Sequence, residues 1–273
     1  MGTSYSLENT VMSHIISDMR NIVVPGIPDS ASVRKNLEAM GCLAMYMEKL
    51  DSSMCPMVFI LPWINLHVKN DVVRNSIHMA CHFIDQDVRR RSFTHYHTPS
   101  HMAKVTLIAS ILGAVHSSFL TSDDMDVLLL TAAIHDFGYS LSVAQKGGGE
   151  MENLSVSLAA ECGILPKEYV DRVRDLNQST RIDLRGKVEH PVHSIQQIIS
   201  DADLIPSCAI NFDRYQIETG YVEKEIQAQF THSTEMNFLK SIGELKSARG
   251  TIFHERQKSI LSSLERSCMH SRS

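Results

Sequence analysis

Apolar residues recur at helical spacing along most of this chain, and no segment alternates apolar and polar residues with the period of two that strands require. The helical pattern begins near residue 31 and continues towards the C-terminus. Spacing of this kind is typical of helices that each bury one face against their neighbours. The sequence therefore predicts an all-α fold.

Composition and charge restrict the partners of such a fold. The 273 residues are 43% hydrophobic and 21% charged, which is typical of a globular protein with a sizeable core. The formal net charge is −5, whereas duplex nucleic acid attracts proteins with a basic surplus. The longest apolar runs, residues 54–64 and 105–115, are too short to span a bilayer. We therefore expect neither a nucleic-acid duplex nor a membrane as a partner.

The cysteines and the first residues bear on location. Six cysteines are scattered along the chain without a Cys-x-x-Cys pair, and residues 1–10 contain no apolar run of the kind that a signal peptide needs. We expect free thiols in a reducing compartment and a cytoplasmic location. No feature of the sequence predicts an oligomeric state.

Capping signals define where several helices begin. Thr98 followed by Pro99 predicts a helix start, and Thr121 or Ser122 predicts the next one, which Gly138 should end. A short helix is predicted before Pro25, and Asp29 or Ser30 could cap a second helix that runs through residues 37–47. The other predicted helices cover residues 72–91, 152–162, 166–180, 191–205, 213–230 and 253–266.

Several polar residues fall on the buried faces of these helices. His101 lies four residues before Val105, on the apolar stripe of its helix. His135 and Asp136 follow the apolar residues 127–134, at a helix end whose free carbonyls favour a cation. A buried aspartate without a partner is costly, and a metal ion would supply that partner.

A further carboxylate comes from a later helix. Asp203 lies four residues after Ile199 and continues its apolar stripe, whereas Asp201 follows Gln197 on the polar side. Asp203 is therefore the predicted buried ligand. The predicted metal ligands are His101, His135, Asp136 and Asp203. Two imidazoles and two carboxylates suit one or two divalent ions, of Zn, Mn, Mg or Fe. For each residue alone, a hydrogen-bonded core histidine or a capping aspartate remains the alternative.

These residues, taken in order, resemble a known family. The resemblance is carried by Tyr-His-Thr-Pro-Ser-His at residues 96–101, Ile-His-Asp at residues 134–136 and Ala-Asp-Leu at residues 202–204. They are similar to the HD-domain metal-dependent phosphohydrolases, and the similarity covers about residues 93–266. It implies an HD-domain helical bundle in residues 91–273, with residues 1–90 as an additional N-terminal helical region of unknown role.

The resemblance also implies an activity. It is that of a metal-dependent phosphohydrolase, in which metal-activated water attacks a phosphate ester, with a nucleotide or cyclic nucleotide as the small-molecule partner. The Tyr-His-x-x-x-His segment is similar to the class I cyclic-nucleotide phosphodiesterases, which implies that His97 is the general acid and that Asp136 is catalytic as well as a ligand. Those phosphodiesterases have a second histidine where this chain has Tyr139. With Glu152 and Thr180, which resemble residues near the family's site, Tyr139 is a candidate for substrate contact.

Other histidines and other functions remain open. His78 and His82 have the four-residue spacing of helical metal ligands, but packing or solvent exposure is the favoured interpretation. His190 and His193 are candidates for a second metal site. The alternative functions are an HD-fold di-iron oxygenase, a zinc hydratase or lyase, and a non-catalytic binding module that contains a metal.

Overall fold

The computed structural model confirms the all-α prediction. It describes residues 41, 43–87, 94–146, 149–183, 186–187, 194–248 and 251–270. In these ranges the regular structure is helical apart from one short antiparallel ribbon, which pairs β1 (Ile182–Asp183) with β2 (Gly186–Lys187).

The helices follow one another with short connections. After the helical residues 43–52, helices α1 to α6 are Pro56–Phe59, Leu61–His67, Asp71–Asp87, Pro99–Val115, Ser122–Ile134 and Leu141–Ala144. Helices α7 to α12 are Glu150–Glu161, Val170–Asn177, Ile195–Cys208, Phe212–Ile226, His232–Ile242 and Ile252–His270. Single 3-10 turns cover Lys167–Tyr169, Gln178–Thr180 and Lys246–Ala248.

Both predicted helix starts are confirmed, and so is the predicted place of His135 and Asp136 directly after the apolar residues 127–134. Thr98 caps α4 through its side chain, with Pro99 in the first turn, and Thr121 forms a capping box with Asp124 at the start of α5. Helix α5 already ends at Ile134, and Gly138, whose φ is +75°, ends the turn that follows. His135 and Asp136 therefore lie in the turn between the end of α5 and Gly138.

Helix α11 is an addition to the predicted set. Its inward face consists of Met236, Leu239 and Ile242, which are spaced by three residues and are all buried. Its start is capped by Thr231, whose side chain accepts a hydrogen bond from the Thr234 amide at 3.1 Å. Both signals are present in the sequence, but the apolar stripe is too short to stand out from its polar neighbours.

Helices α4 and α5 lie side by side at the centre of the fold. Residues 101–114 of α4 and 125–134 of α5 are buried, and α9 packs against α4 while α3 packs against α5. One hydrophobic cluster extends from Leu43 to Leu264. Complete burial of a leucine or isoleucine in such a cluster contributes about 1.5–3 kcal/mol. The described residues 43–87 thus share their core with the later helices, and the domain boundary near residue 90 stays a prediction.

A network of four charged side chains joins three helical segments, which are residues 43–52, α4 and α10. Lys104 Nζ lies 2.6 Å from Asp51 Oδ1 and 2.6 Å from Glu218 Oε1. Arg214 pairs with the same two carboxylates, with Nη1 2.7 Å from Asp51 Oδ2. Lys104 and Glu218 are each 1% exposed. Because an unpaired buried charge is very costly, each member of the network depends on the others.

Replacing Lys104 by Met should lower the free energy of unfolding by about 3–5 kcal/mol, since one partner of a buried ion pair is then lost. Urea unfolding followed by circular dichroism measures the change. The matched control is Lys146→Met, because Lys146 is exposed and a surface substitution of this kind has little effect. A Lys104→Met protein as stable as its parent would show that the network does not stabilise the fold.

Two further findings concern the chain as a whole. In the ranges that the structure describes, every helix is too short or too polar to cross a membrane. Among the described residues, the cysteines at positions 55, 81, 162 and 208 form no disulfide. The predictions for residues N-terminal to residue 41, and for His190 and His193, lie outside the described residues.

Candidate metal centre

The four predicted metal ligands lie together where three helical segments meet. His101 is in the first turn of α4, His135 and Asp136 directly follow α5, and Asp203 is in α9. Because α4 packs against both α5 and α9, these segments bring their polar residues to one place. The histidines are 1% and 2% exposed, so the cluster is nearly closed to solvent on their side.

The contacts within the cluster are short. His101 Nε2 lies 3.1 Å from Asp203 Oδ1 and 3.6 Å from Asp136 Oδ2. His135 Nε2 lies 3.1 Å from Asp136 Oδ2 and 3.5 Å from Asp203 Oδ1, and the two Nε2 atoms are 3.4 Å apart. Ligand atoms of His101, His135 and Asp203 all lie within 4.8 Å of one another. This group can hold a metal ion, and Asp136 adds a carboxylate that contacts both histidines.

The outer hydrogen bonds of the two histidines differ. His135 Nδ1 donates to the Ala132 carbonyl at 2.9 Å, which directs Nε2 into the cluster. An outer bond of this kind is typical of histidines that bind metals. His101 Nδ1 is buried and makes no hydrogen bond among the described residues. Of the two imidazoles, His135 is therefore the more firmly oriented.

The charges within the cluster keep both carboxylates ionised. Burial raises the pKa of Asp136, but the charges of His135 and His97 outweigh it and hold that pKa at about 2. Burial also raises the pKa of Asp203, which hydrogen bonds from His101 and His135 bring well below its ordinary value. Burial lowers the pKa of His135, whereas Asp136 and Asp203 raise it far more. The two anions are thus stabilised by positive charge, which a metal ion would supply.

His97 lies beside the cluster and is held by an acid. Its Nδ1 is 2.5 Å from Oε1 of Glu225, whose side chain is 2% exposed, whereas the His97 side chain is 25% exposed. The rings of His97 and His101 are 5.9 Å apart between centroids. Burial lowers the pKa of His97, but the charge of Asp136 and the hydrogen bond and charge of Glu225 raise it overall. His97 is therefore an imidazole that retains its proton close to the candidate ligands.

Glu225 is a functional residue that the sequence analysis did not predict. Its Oε2 accepts hydrogen bonds from the amides of His95, Tyr96 and His97, at 3.0, 2.7 and 3.1 Å. Burial raises the pKa of Glu225, but the hydrogen bond and charge of His97 bring it to about 2. One carboxylate thus fixes both the backbone before α4 and the ring of His97.

A signal for Glu225 exists in the sequence of α10. Arg214, Glu218 and Glu225 are spaced by four and seven residues, so they share one face of the helix. All three are buried, which makes this inward face largely charged. A helix with a charged inward face indicates partners elsewhere in the fold, although it does not identify them.

Two other unpredicted residues support the ligands. Asn177 Nδ2 donates to the carbonyls of His135 at 3.2 Å and Glu152 at 3.0 Å, and so joins the end of α5 to α7. The ring of Tyr96 lies 4.5 Å from that of His101 between centroids, and its hydroxyl is 2.5 Å from Ser207 Oγ. Asn177 thus fixes the position of His135, and Tyr96 that of His101, although neither is itself a candidate ligand.

The three candidates for substrate contact lie in different places. Tyr139 stacks on His97, with ring centroids 3.6 Å apart. Glu152 is half-buried, and burial together with the charges of Asp136 and Asp203 raises its pKa. Thr180 Oγ1 donates to the Asn177 carbonyl at 2.9 Å, so its hydroxyl is directed at the end of α8. Their contact with a substrate stays a prediction.

The predicted difference in burial between Asp201 and Asp203 is wrong. Asp201 is fully buried, whereas the Asp203 side chain is 16% exposed. Asp201 accepts hydrogen bonds from Gln197 Nε2 at 2.8 Å and from Ser247 N and Oγ at 2.7 Å each. The turn 246–248 covers the polar face of α9, on which Asp201 lies. Asp201 therefore has a structural role, and Asp203 is the aspartate at the cluster.

Asp201→Ala should lower the free energy of unfolding by about 1–3 kcal/mol, because buried donors of Gln197 and Ser247 then lose their acceptor. The folded protein should keep its metal affinity, since the Asp201 carboxylate accepts hydrogen bonds from Gln197 and Ser247. Urea unfolding and chelator titration at low temperature measure the two quantities. Loss of metal with unchanged stability would reverse the assignment of the two aspartates.

His78 and His82 are each engaged by a neighbouring amide. His78 Nε2 is 2.9 Å from Asn65 Oδ1, and His82 Nε2 is 2.7 Å from Gln86 Nε2. These contacts agree with the packing or solvent interpretation of the pair.

Comparison with known proteins adds no family to this description. No protein-family model matches the chain, and no curated protein matches it in sequence. The functional interpretation therefore depends on the geometry of the cluster and on the motif resemblance.

Proposed function

We propose that this protein is a metal-dependent phosphohydrolase that cleaves a phosphate ester, with a nucleotide or cyclic nucleotide as the substrate. Its main support is the position of His97, whose imidazole is hydrogen-bonded to the Glu225 carboxylate. His97 lies next to the buried cluster of two histidines and two carboxylates. Hydrolysis of an unactivated phosphate ester needs both stabilisation of the phosphoryl charge and a proton for the leaving oxygen. The two parts of the site correspond to these two needs.

The donor atoms of the cluster fit a divalent cation. His101, His135, Asp136 and Asp203 would hold it, and a mixed nitrogen and oxygen set suits Zn, Mn or Fe, with Mg as the harder alternative. The bond from His135 Nδ1 to the Ala132 carbonyl directs Nε2 towards the carboxylates, where it can bind the cation once its proton is displaced. At such a site a divalent cation supplies stabilisation of charge on phosphoryl oxygens and lowers the pKa of bound water.

His97 supplies the proton in this proposal. Its Nδ1 is bonded to Glu225, and its Nε2 makes no hydrogen bond to any described residue. A protonated imidazole oriented in this way donates from Nε2 to the oxygen that leaves phosphorus. The ionised Glu225 stabilises the positive charge on the ring before transfer and fixes the ring's position.

The same observation separates hydrolysis from two of the alternatives, the oxygenase and the binding module. An oxygenase or a metal-containing binding module does not require a proton donor held by a buried carboxylate beside its ligands. The extra histidines of the di-iron alternative, His190 and His193, lie outside the described residues. The His97–Glu225 pair therefore favours the hydrolase over the oxygenase and over the non-catalytic binding module.

A substrate panel tests the proposal. Metal-stripped protein is reloaded separately with Zn, Mn, Mg or Fe(II), and then assayed against nucleoside monophosphates, cyclic nucleotides and nitrophenyl phosphates with the metal content quantified. We expect metal-dependent phosphate ester cleavage in the parent protein and none in the Asp136→Asn control, purified identically. Activity that is equal in both preparations comes from a contaminant and counts against the proposal. Oxygen consumption by the iron form without ester cleavage would favour the oxygenase.

A further inference from the structure

Tyr139 packs face to face on the ring of His97. The ring centroids are 3.6 Å apart and the planes differ by 10°. The Tyr139 amide donates to the Asp136 carbonyl at 3.0 Å. This bond fixes the turn that carries Asp136 and Tyr139. The stack is therefore built on the same short segment that supplies a candidate metal ligand.

The hydroxyl end of Tyr139 reaches the anchor of His97. Burial, the charge of Glu225 and a hydrogen bond from the Tyr139 hydroxyl to that carboxylate all raise the pKa of Tyr139. Glu225 also holds His97 Nδ1 at 2.5 Å. Tyr139 thus contacts the face of the imidazole with its ring and the partner of the imidazole with its hydroxyl.

We propose that Tyr139 is a positioning residue for the proton donor, fixing the plane of the His97 ring so that Nε2 stays directed at the leaving oxygen. This inference rests on the proposed function, in which His97 is the general acid. The bond from Nδ1 to Glu225 restrains rotation of the ring about its Cβ–Cγ bond, but a single hydrogen bond tolerates a range of angles and so permits some tilt. The stacked phenol removes this tilt, and proton transfer depends on such alignment because the donor must lie within hydrogen-bond reach.

Three variants test the inference. Tyr139→Leu removes the stack, Tyr139→Phe keeps the stack and removes the hydroxyl, and Tyr221→Leu is the control on the partly exposed part of α10. For an ester with an alkyl leaving group, Tyr139→Leu should lower kcat by roughly 10- to 100-fold, the effect of a small misplacement. Tyr139→Phe should lose less, and Tyr221→Leu should match the parent. All variants should keep their metal content and their KM.

Two comparisons show whether Tyr139 acts through His97: an ester with a different leaving group, and a double variant with His97→Ala. For a nitrophenyl ester, whose leaving group needs no proton, Tyr139→Leu should leave kcat unchanged. In a His97→Ala background, Tyr139→Leu should cause no further loss on the alkyl ester, because the two changes act through one group. Equal loss on both esters, further loss in the His97→Ala background, or a raised KM with unchanged kcat would each overturn the positioning role.

A readout without catalysis separates this inference from the proposed function. In the parent protein, nuclear magnetic resonance of the labelled His97 ring should give one set of signals and contacts to the Tyr139 ring. Tyr139→Leu should broaden or multiply these signals, whereas Tyr221→Leu should not. If no ester is cleaved by the parent, the proposed function fails while the ring signals still report on Tyr139. Unchanged His97 signals in Tyr139→Leu would overturn the inference even in an active enzyme.

Discussion

Asp136→Asn is expected to weaken metal binding more than about 100-fold, because loss of an outer hydrogen-bond partner alone costs 10- to 100-fold and Asp136 is itself a candidate ligand. The substitution keeps the size of the side chain and removes its negative charge. It leaves two imidazoles and one carboxylate, and it turns the carboxylate that lies 3.1 Å from His135 Nε2 into a neutral amide with one oxygen. Titration of the metal-loaded protein with a chromophoric chelator measures the affinity.

The matched control for Asp136→Asn is Asp175→Asn, an exposed aspartate on α8. The control should bind metal like the parent, and Asp203→Asn should lose metal as Asp136→Asn does. Circular dichroism on each variant separates loss of a ligand from loss of the fold. Full metal occupancy of Asp136→Asn at a chelator concentration that strips Asp203→Asn would exclude Asp136 as a ligand.

The ligand helices could be predicted because burial imposes a helical period on the sequence. His101 shares a stripe with Val105, and His135 follows a helix that is apolar nearly all round, so both side chains had to lie inside the fold. The structure places them 1% and 2% exposed and only 3.4 Å apart between their Nε2 atoms. Local spacing is sufficient where one helix face is buried and the polar residue lies on it.

The same reasoning fails where a helix is covered on two sides. Helix α9 packs against α4 on one side and beneath the turn 246–248 on the other, so Asp201 and Asp203 both lie within the fold. Burial therefore does not distinguish the ligand from the structural aspartate. The distinction lies in their partners, Ser247 for one and His101 for the other, and such long-range contacts are not encoded in spacing along a single helix.

The residues that contact His97, Glu225 and Tyr139, were also beyond what spacing along one helix could predict. Glu225 lies 128 residues further along the chain, and only the charged inward face of α10 indicates that it has a buried partner. Tyr139 was a candidate for substrate contact because of its place in the motif, whereas the structure stacks it on His97. Residues that act on a catalytic group through packing carry little local signal, because their contact arises only when distant helices meet.

His97→Ala is expected to keep the metal content of the protein and to lower kcat on an alkyl phosphate ester by about 10²–10⁴-fold, the usual contribution of a positioned general acid. The ring of His97 lies outside the group of candidate ligands, and its Nδ1 is already bonded to Glu225, so its removal takes no donor atom from the metal. Steady-state kinetics with metal analysis of the same samples measures both quantities.

The leaving group decides whether the loss in His97→Ala reflects proton donation. For a nitrophenyl ester the loss should nearly disappear, because a stabilised phenolate leaves without a proton. His82→Ala is the matched control, since His82 is an exposed histidine of α3 that is hydrogen-bonded to Gln86, outside the candidate site. An equal loss on both esters would mean that His97 binds the substrate rather than protonating it. Loss of metal in His97→Ala would make His97 a ligand, and the resemblance of residues 96–101 to the phosphodiesterase motif would then no longer describe this site.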